Sequence, residues 1–192
     1  MEIGDSLESY IVSFDNVLLE KNLKYFLKYC KTEIYKTSEV VDGKGKPHVD
    51  KKVRNVTICS LICNTKSLTK VHWSNFFQNV FNLFMKDYIK MLNLDINIKI
   101  DDIQILKYKP GGHYVFHIDD CKTIPRTLSC IFLVNDNYEG GDLVFSNPLT
   151  RRKIKIEKKQ NRLIIWPSNF LYPHCVEPVK SNERYSVVGW AS

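Results

Sequence analysis

No apolar run in this 192-residue chain approaches the ~20 residues that a membrane-spanning helix requires, so a helical membrane protein is excluded. The stretch from Met1 to Phe14 has no basic segment leading into an apolar one. No secretory leader is visible there, and the expected location is intracellular and cytoplasmic. Cysteine is too scattered for a disulfide scaffold or a paired metal site: Cys30, Cys59, Cys63, Cys121, Cys130 and Cys175 show no ligand-pair spacing. They read as free thiols in or near the core. Acidic side chains are the minority, 21 against 28 Lys and Arg, for a net charge of +7. An excess of that sign suits an acidic partner such as nucleic acid. The lysines, however, are spread along the whole chain. The densest run, Arg151 to Lys159, is interrupted by Ile154 and Ile156, the pattern of a half-buried strand with a charged outer face. A solvated basic surface is the favoured reading.

What is present describes a globular protein. Hydrophobic residues make up 44% and charged residues 26%, enough apolar material to build a core. Residues 1–192 read as one domain, with helical support and outer strands over 1–100 and strand-rich motifs over 101–192. Tyr10 to Phe14 is expected as a strand. Asp15 is the expected cap of a helix over 16–31, with Leu19, Leu23, Phe26, Leu27 and Cys30 on its apolar face. Residues 33–40 and 53–64 read as strands. Between them, residues 42–52 are rich in Gly, Pro and charge and read as an exposed loop that contains His48. Ser74 is the expected cap of a long helix reaching Leu94, buried through Phe77, Val80, Phe81, Phe84, Tyr88 and Leu92. His72 and Trp73 would then precede it. From Asp101 the pattern turns to short strands punctuated by Pro110-Gly111-Gly112, Asn135-Asp136-Asn137, Gly140-Gly141 and Ser146-Asn147-Pro148. Helices followed by many short strands imply an α+β protein with helices against one face of a β-sandwich.

One stretch carries chemistry. His117 and Asp119 are spaced so that an extended strand points both to one face. An imidazole and a carboxylate can then reach the same ion. His174 is the best candidate for a third ligand. His113 shares the parity of His117 but adjoins the Gly-Gly turn. Two His and one carboxylate form the facial triad of non-haem Fe(II) oxygenases, which leaves coordination positions open. Further on, Arg184 offers a planar fork suited to a carboxylate.

Several motifs in order carry a resemblance. Tyr108, Gly111-Gly112, Tyr114, His117 and Asp119 form the first, and Arg126 to Asn135 the second. Gly140 to Phe145 form the third. Pro173 to Val179 and Glu183 to Trp190 complete the set. From about Ile103 to Trp190 the chain resembles the prolyl 4-hydroxylase-like Fe(II)/2-oxoglutarate dioxygenases. The resemblance implies a double-stranded β-helix of the jelly-roll or cupin-like kind, with the metal in its open mouth.

It also implies Fe(II) on His117, Asp119 and His174, with 2-oxoglutarate and O2 as co-substrates and ascorbate as a reductant. Arg184 would bind the distal carboxylate of 2-oxoglutarate, assisted by Ser186, and Tyr108 would line the co-substrate pocket. A core-strand tyrosine found in oxygen-sensing members is Leu133 here, a departure at that carboxylate site. Trp190 matches a tryptophan near the substrate mouth. Asp119 favours hydroxylation, because the related halogenases lack this carboxylate. The family points to a prolyl residue in a protein or peptide. A free amino acid and nucleic acid are the alternatives, the last disfavoured because the demethylases' Arg-x-Asn…Arg signature is missing after His174. From a different class, a catalytically silent jelly-roll module would bind a partner through its basic face.

Overall fold

The computed structural model describes residues 7–41, 46–62, 65–121 and 123–192. Two antiparallel sheets face each other. In the larger, the strand order is Val12–Asp15, Arg162–Pro167, Leu128–Leu133, Arg184–Ala191, Ile100–Tyr108, Thr57–Ser60, Lys36–Thr37. In the smaller it is Lys153–Lys155, Leu143–Ser146, His174–Val176, His113–His117, Arg54–Asn55. From residue 100 onward the chain crosses between the sheets at almost every strand, and only the hairpin from Leu143–Ser146 to Lys153–Lys155 stays within one. This back-and-forth winding is the double-stranded β-helix expected from the motifs, and the fold class is α+β.

Period-two alternation divides the core. On the strand Leu128–Leu133, Leu128, Cys130 and Phe132 face one side, while Ile131 and Leu133 face the other. The strand Arg184–Ala191 repeats this, with Tyr185 and Val187 on the first side and Val188 and Trp190 on the second. All residues of both strands are buried, because each face is covered. The first side packs against two helices, α1 (Glu20–Thr32) and α2 (Leu68–Met91), through Phe26, Phe77, Phe81 and Tyr88. Truncating any one of these Phe side chains costs about 3–5 kcal/mol. The second side faces the smaller sheet across Leu143, Phe145 and Val176. Gly189 admits α2 to the sheet: a Cβ there would lie 2.6 Å from Phe81 Cδ2.

Several local expectations are corrected. Asp15 ends a strand and does not cap α1, whose N-cap is Leu19 with no side-chain hydrogen bond. The carboxylate of Asp15 instead pairs with Arg162 at 2.7 Å and Lys159 at 2.8 Å. Leu19 is 76% exposed and lies off the apolar face. The cap of α2 is Ser67, whose hydroxyl accepts the Lys70 N–H at 3.3 Å. Ser74 lies inside that helix and is buried, and Trp73 is a core residue of it. The stretch 53–64 is split at Val56: Arg54–Asn55 joins the smaller sheet and Thr57–Ser60 the larger. Its end at Cys63 and Asn64 lies outside the described residues. So do 42–45 of the expected loop, which is flanked by a short hairpin, Val40–Val41 with Pro47–His48. Of the cysteines, Cys121 is exposed rather than core. Among the described residues, no helix is long and apolar enough to cross a membrane.

Candidate metal centre and cavity

The smaller sheet assembles the centre. His117 and His174 are register partners on adjacent strands, which brings their ring centroids to 4.3 Å. Asp119 lies just past the end of its strand, so strand alternation alone does not place it. The loop is held by Arg126, whose backbone N–H donates to Asp120 Oδ1 and whose guanidinium donates to the Asp119 carbonyl at 3.2 Å. Asp119 Oδ1 then stands 3.6 Å from His117 Nε2, and Oδ2 stands 3.5 Å from His174 Nε2. One ligand atom from each of the three residues lies within 4.8 Å of the others.

The protonation pattern is informative. His117 Nδ1 contacts the Val115 carbonyl at 2.9 Å and His174 Nδ1 contacts the Tyr172 carbonyl at 3.1 Å. A carbonyl can only accept, so each Nδ1 carries a hydrogen, and each Nε2 is turned toward Asp119. Burial, reinforced by the neighbouring His117, pushes His174 down to about 4, so it is neutral at pH 7. Burial alone would raise Asp119, but the two imidazoles outweigh it and hold the carboxyl well below the usual range. The carboxylate of Asp119 and the Nε2 atoms of both imidazoles therefore face one another across a small space. Two nitrogens and one oxygen so placed, with coordination positions left open, form a set that suits Fe(II).

His113 is not part of the cluster. Its two ring nitrogens are engaged by the Gly111 and Lys52 carbonyls. Arg184 is fully buried, its guanidinium over the Tyr108 ring at 4.9 Å and donating through Nη1 to Ser186 Oγ at 3.0 Å. Its Nε and Nη2 have no partner. Two unpartnered guanidinium nitrogens in a buried site present a fork suited to a carboxylate. Gly141 makes room for this arginine: with φ at +61°, a Cβ there would lie 3.0 Å from Arg184 Cδ. Leu133 is buried as the register partner of Ser186 and offers that carboxylate no polar contact.

A cavity of about 100 Å³ lies against the His117, Asp119 and His174 cluster, and Arg184 and Ser186 are not among its lining residues. Tyr108, His117, Asp119 and His174 line it, as does Trp190. Other lining residues had no role assigned from sequence: Arg54, Gln104, Tyr114 and Trp166, with Arg126. Tyr114 stacks on His117 at 3.5 Å and is covered in turn by Arg54 at 4.8 Å. Arg126 stacks on Trp190 at 4.0 Å. Parity was the one available signal for Gln104, since it shares the inward face of Leu106 and Tyr108. Arg54 carried none, because its strand is two residues long.

Residues 103–192 match the model of a family described as the 2OG-Fe(II) oxygenase superfamily. A PKHD-type hydroxylase from Synechococcus sp. (strain CC9902) is 33% identical over 96 residues, which is 48% of this chain and 41% of that protein. The chain spans about two fifths of the length of the first curated relatives that it matches. Among solved structures, a Pseudomonas putida prolyl-4-hydroxylase superposes with a TM-score of 0.71 at 17% identity, covering 94% of this chain and 91% of that one. A prolyl hydroxylase from Trichoplax adhaerens, in complex with a hypoxia inducible factor oxygen degradation domain peptide fragment, gives 0.70 at 18% identity, over 95% of this chain and 83% of that one.

Proposed function

We propose, from the match of residues 103–192 to the model of the 2OG-Fe(II) oxygenase superfamily, that this chain is an Fe(II)- and 2-oxoglutarate-dependent dioxygenase that hydroxylates a prolyl residue in a protein or peptide. Residues 1–192 act as a single domain in this reading, since α1 and α2 brace the sheet whose other face carries the site. The observation that carries the proposal is the convergence of His117, Asp119 and His174 within 4.8 Å, with both Nδ1 hydrogens turned outward.

His117, Asp119 and His174 would hold the metal. Arg184 and Ser186 would take the distal carboxylate of 2-oxoglutarate beside Tyr108. When bound, Fe(II) and 2-oxoglutarate supply the coupling of oxidative decarboxylation, giving succinate and CO2, to hydroxylation of a substrate carbon by O2. The chain's own work is orientation and exclusion. The Val115 and Tyr172 carbonyls fix the two rings. Arg126 fixes the Asp119 loop. Leu106, Ile131, Val176 and Val188 keep the cavity wall apolar, which excludes water from the reacting centre. Ascorbate would serve as the external reductant. The peptide substrate is supported by the prolyl hydroxylase solved with a peptide, a protein of the same fold. The basic surface keeps a nucleic acid as the weaker alternative.

The test is anaerobic reconstitution with Fe(II) followed by 2-oxoglutarate, read by the weak visible charge-transfer band of the chelated co-substrate. The expected band disappears in Asp119→Ala and weakens in Arg184→Ala. Folded protein that binds neither iron nor 2-oxoglutarate overturns the enzyme reading and leaves the silent-module alternative.

A further inference from the structure

Among the described residues, Arg54 Nε, Gln104 Oε1 and Trp166 Nε1 are buried without a hydrogen-bond partner, and all three residues line the one cavity. A buried polar atom left unmade costs about 1–3 kcal/mol. Such a concentration in a single cavity calls for a ligand to satisfy it. Trp166 lies edge-on to His174, at the metal. Arg54 and Gln104 have no place in the proposed metal and co-substrate sites.

Their position follows from register. The strand Arg184–Ala191 pairs Arg184 with Tyr108 at one end, and Val188 with Gln104 and Trp190 with Asp102 at the other. Those ends are roughly 20 Å apart at about 3.3 Å per residue. Gln104 thus sits toward the Trp190 end, away from Arg184. Both side chains are pinned. Gln104 Nε2 donates to Asp102 Oδ2 at 2.6 Å, which fixes Oε1 as the free acceptor. Arg54 lies over the Tyr114 ring and donates through Nη1 to the Glu39 carbonyl at 3.4 Å, which leaves Nε as the free donor.

We infer that Arg54 and Gln104 form a clamp for one peptide unit of the substrate, Nε donating to its carbonyl oxygen and Oε1 accepting from its N–H. The inference rests on the dioxygenase reading and deepens it. One donor and one acceptor match an amide. The Arg54 guanidinium could take the carboxylate of a free amino acid, but its ammonium would meet only neutral Gln104 and an Asp102 carboxylate already engaged by it. The clamp therefore selects a capped, chain-borne residue over a free one. Arg54 and Gln104 are positioning residues, acting on binding rather than on the reacting atoms.

The test uses protein loaded anaerobically with Fe(II) and 2-oxoglutarate. Three probes are titrated by calorimetry or ligand-observed NMR: N-acetyl-L-proline N-methylamide, free L-proline and a single-stranded thymidine hexanucleotide. The capped diamide is expected to bind at least tenfold more tightly than L-proline or the hexanucleotide. Gln104→Met removes the acceptor at similar volume, and Arg54→Lys keeps the charge while removing Nε. Each is expected to weaken diamide binding about tenfold and to leave the charge-transfer band unchanged, while Gln104→Met, which also removes the Nε2 bond to Asp102, lowers the melting temperature by a few degrees at most. The two substitutions are independent, so misfolding of one leaves the other to decide. Tighter binding of L-proline or the hexanucleotide, or full diamide affinity in both variants, overturns the clamp. A normal band without diamide binding also removes the clamp alone. Absence of the band in the parent protein removes the dioxygenase reading and the clamp with it.

Discussion

His117 and His174 are register partners across an antiparallel strand pair, and their rings stand 4.3 Å apart. Neither strand is long: His174–Val176 has three residues and is held between Leu143–Ser146 and His113–His117. A one-residue slip would turn either imidazole out of the site. The candidate metal centre is thus only as well defined as this pairing, and the apolar partners Phe145 and Val176 maintain it.

Removal of any one ligand should abolish productive metal binding. Asp119→Asn is the cleanest case, since it keeps the side chain's size while removing the charge that balances Fe(II). An affinity loss of at least about 100-fold is expected, given that even supporting residues around such sites are worth 10–100-fold. Anaerobic Fe(II) titration checks it, and undiminished binding would sink the assignment.

Arg184 should govern the co-substrate more than the metal. Arg184→Lys keeps the charge but loses the fork that leaves Nε and Nη2 free. The 2-oxoglutarate Kd is expected to rise about tenfold or more, with Fe(II) affinity unchanged. Parallel losses of both affinities would instead indicate a collapsed core, because this side chain is fully buried.

The contact between α2 and the sheet depends on Gly189. Gly189→Ala should destabilise by about 1–3 kcal/mol through the clash with Phe81. For a chain of this size that corresponds to a melting-temperature fall of roughly 2–4 °C per kcal/mol. Phe81→Leu in the same background should recover part of the loss, as expected for residues in contact. A double variant no more stable than the additive sum would contradict the packing account.

Acid sensitivity should trace partly to Asp15. Hydrogen bonds from Arg162 and Lys159 hold its carboxyl well below the usual range. A lowered folded value favours the ionised form in the native state. The contribution is therefore present above about pH 4, the unfolded carboxylate value, and fades as pH falls below it. The carboxylate is 34% exposed, so solvent screening limits the pair to about 1–2 kcal/mol. The stability gap between the parent protein and Asp15→Asn should equal that amount at pH 7 and be smaller at pH 3, as read from urea midpoints at the two values. Equal stability of the two proteins at pH 7 would remove the pair from the account.

The order of motifs in the last 90 residues made the jelly roll legible and named three residues that the fold brings together, because spacing along a strand and glycine-bearing turns are local properties. Helix existence was equally legible, while helix ends were not. Asp15 and Ser74 were plausible caps by residue type, yet the ends were decided elsewhere. Asp15 is drawn to Arg162 on a neighbouring strand, and Trp73 is drawn into the aromatic core, which extends α2 back to Ser67.

By itself the sequence determined which residues can carry the chemistry: two imidazoles, one carboxylate and one guanidinium, at spacings that strands and turns convert into direction. Tertiary structure alone decided what surrounds them. It set the facing of the Asp119 carboxylate and both Nε2 atoms across a small space, the two unmade bonds of Arg184, and the arrival of Arg54 from a two-residue strand in the first half of the chain. The physical reason is that periodicity fixes which way a side chain points, whereas sheet register and burial between distant segments fix what it meets.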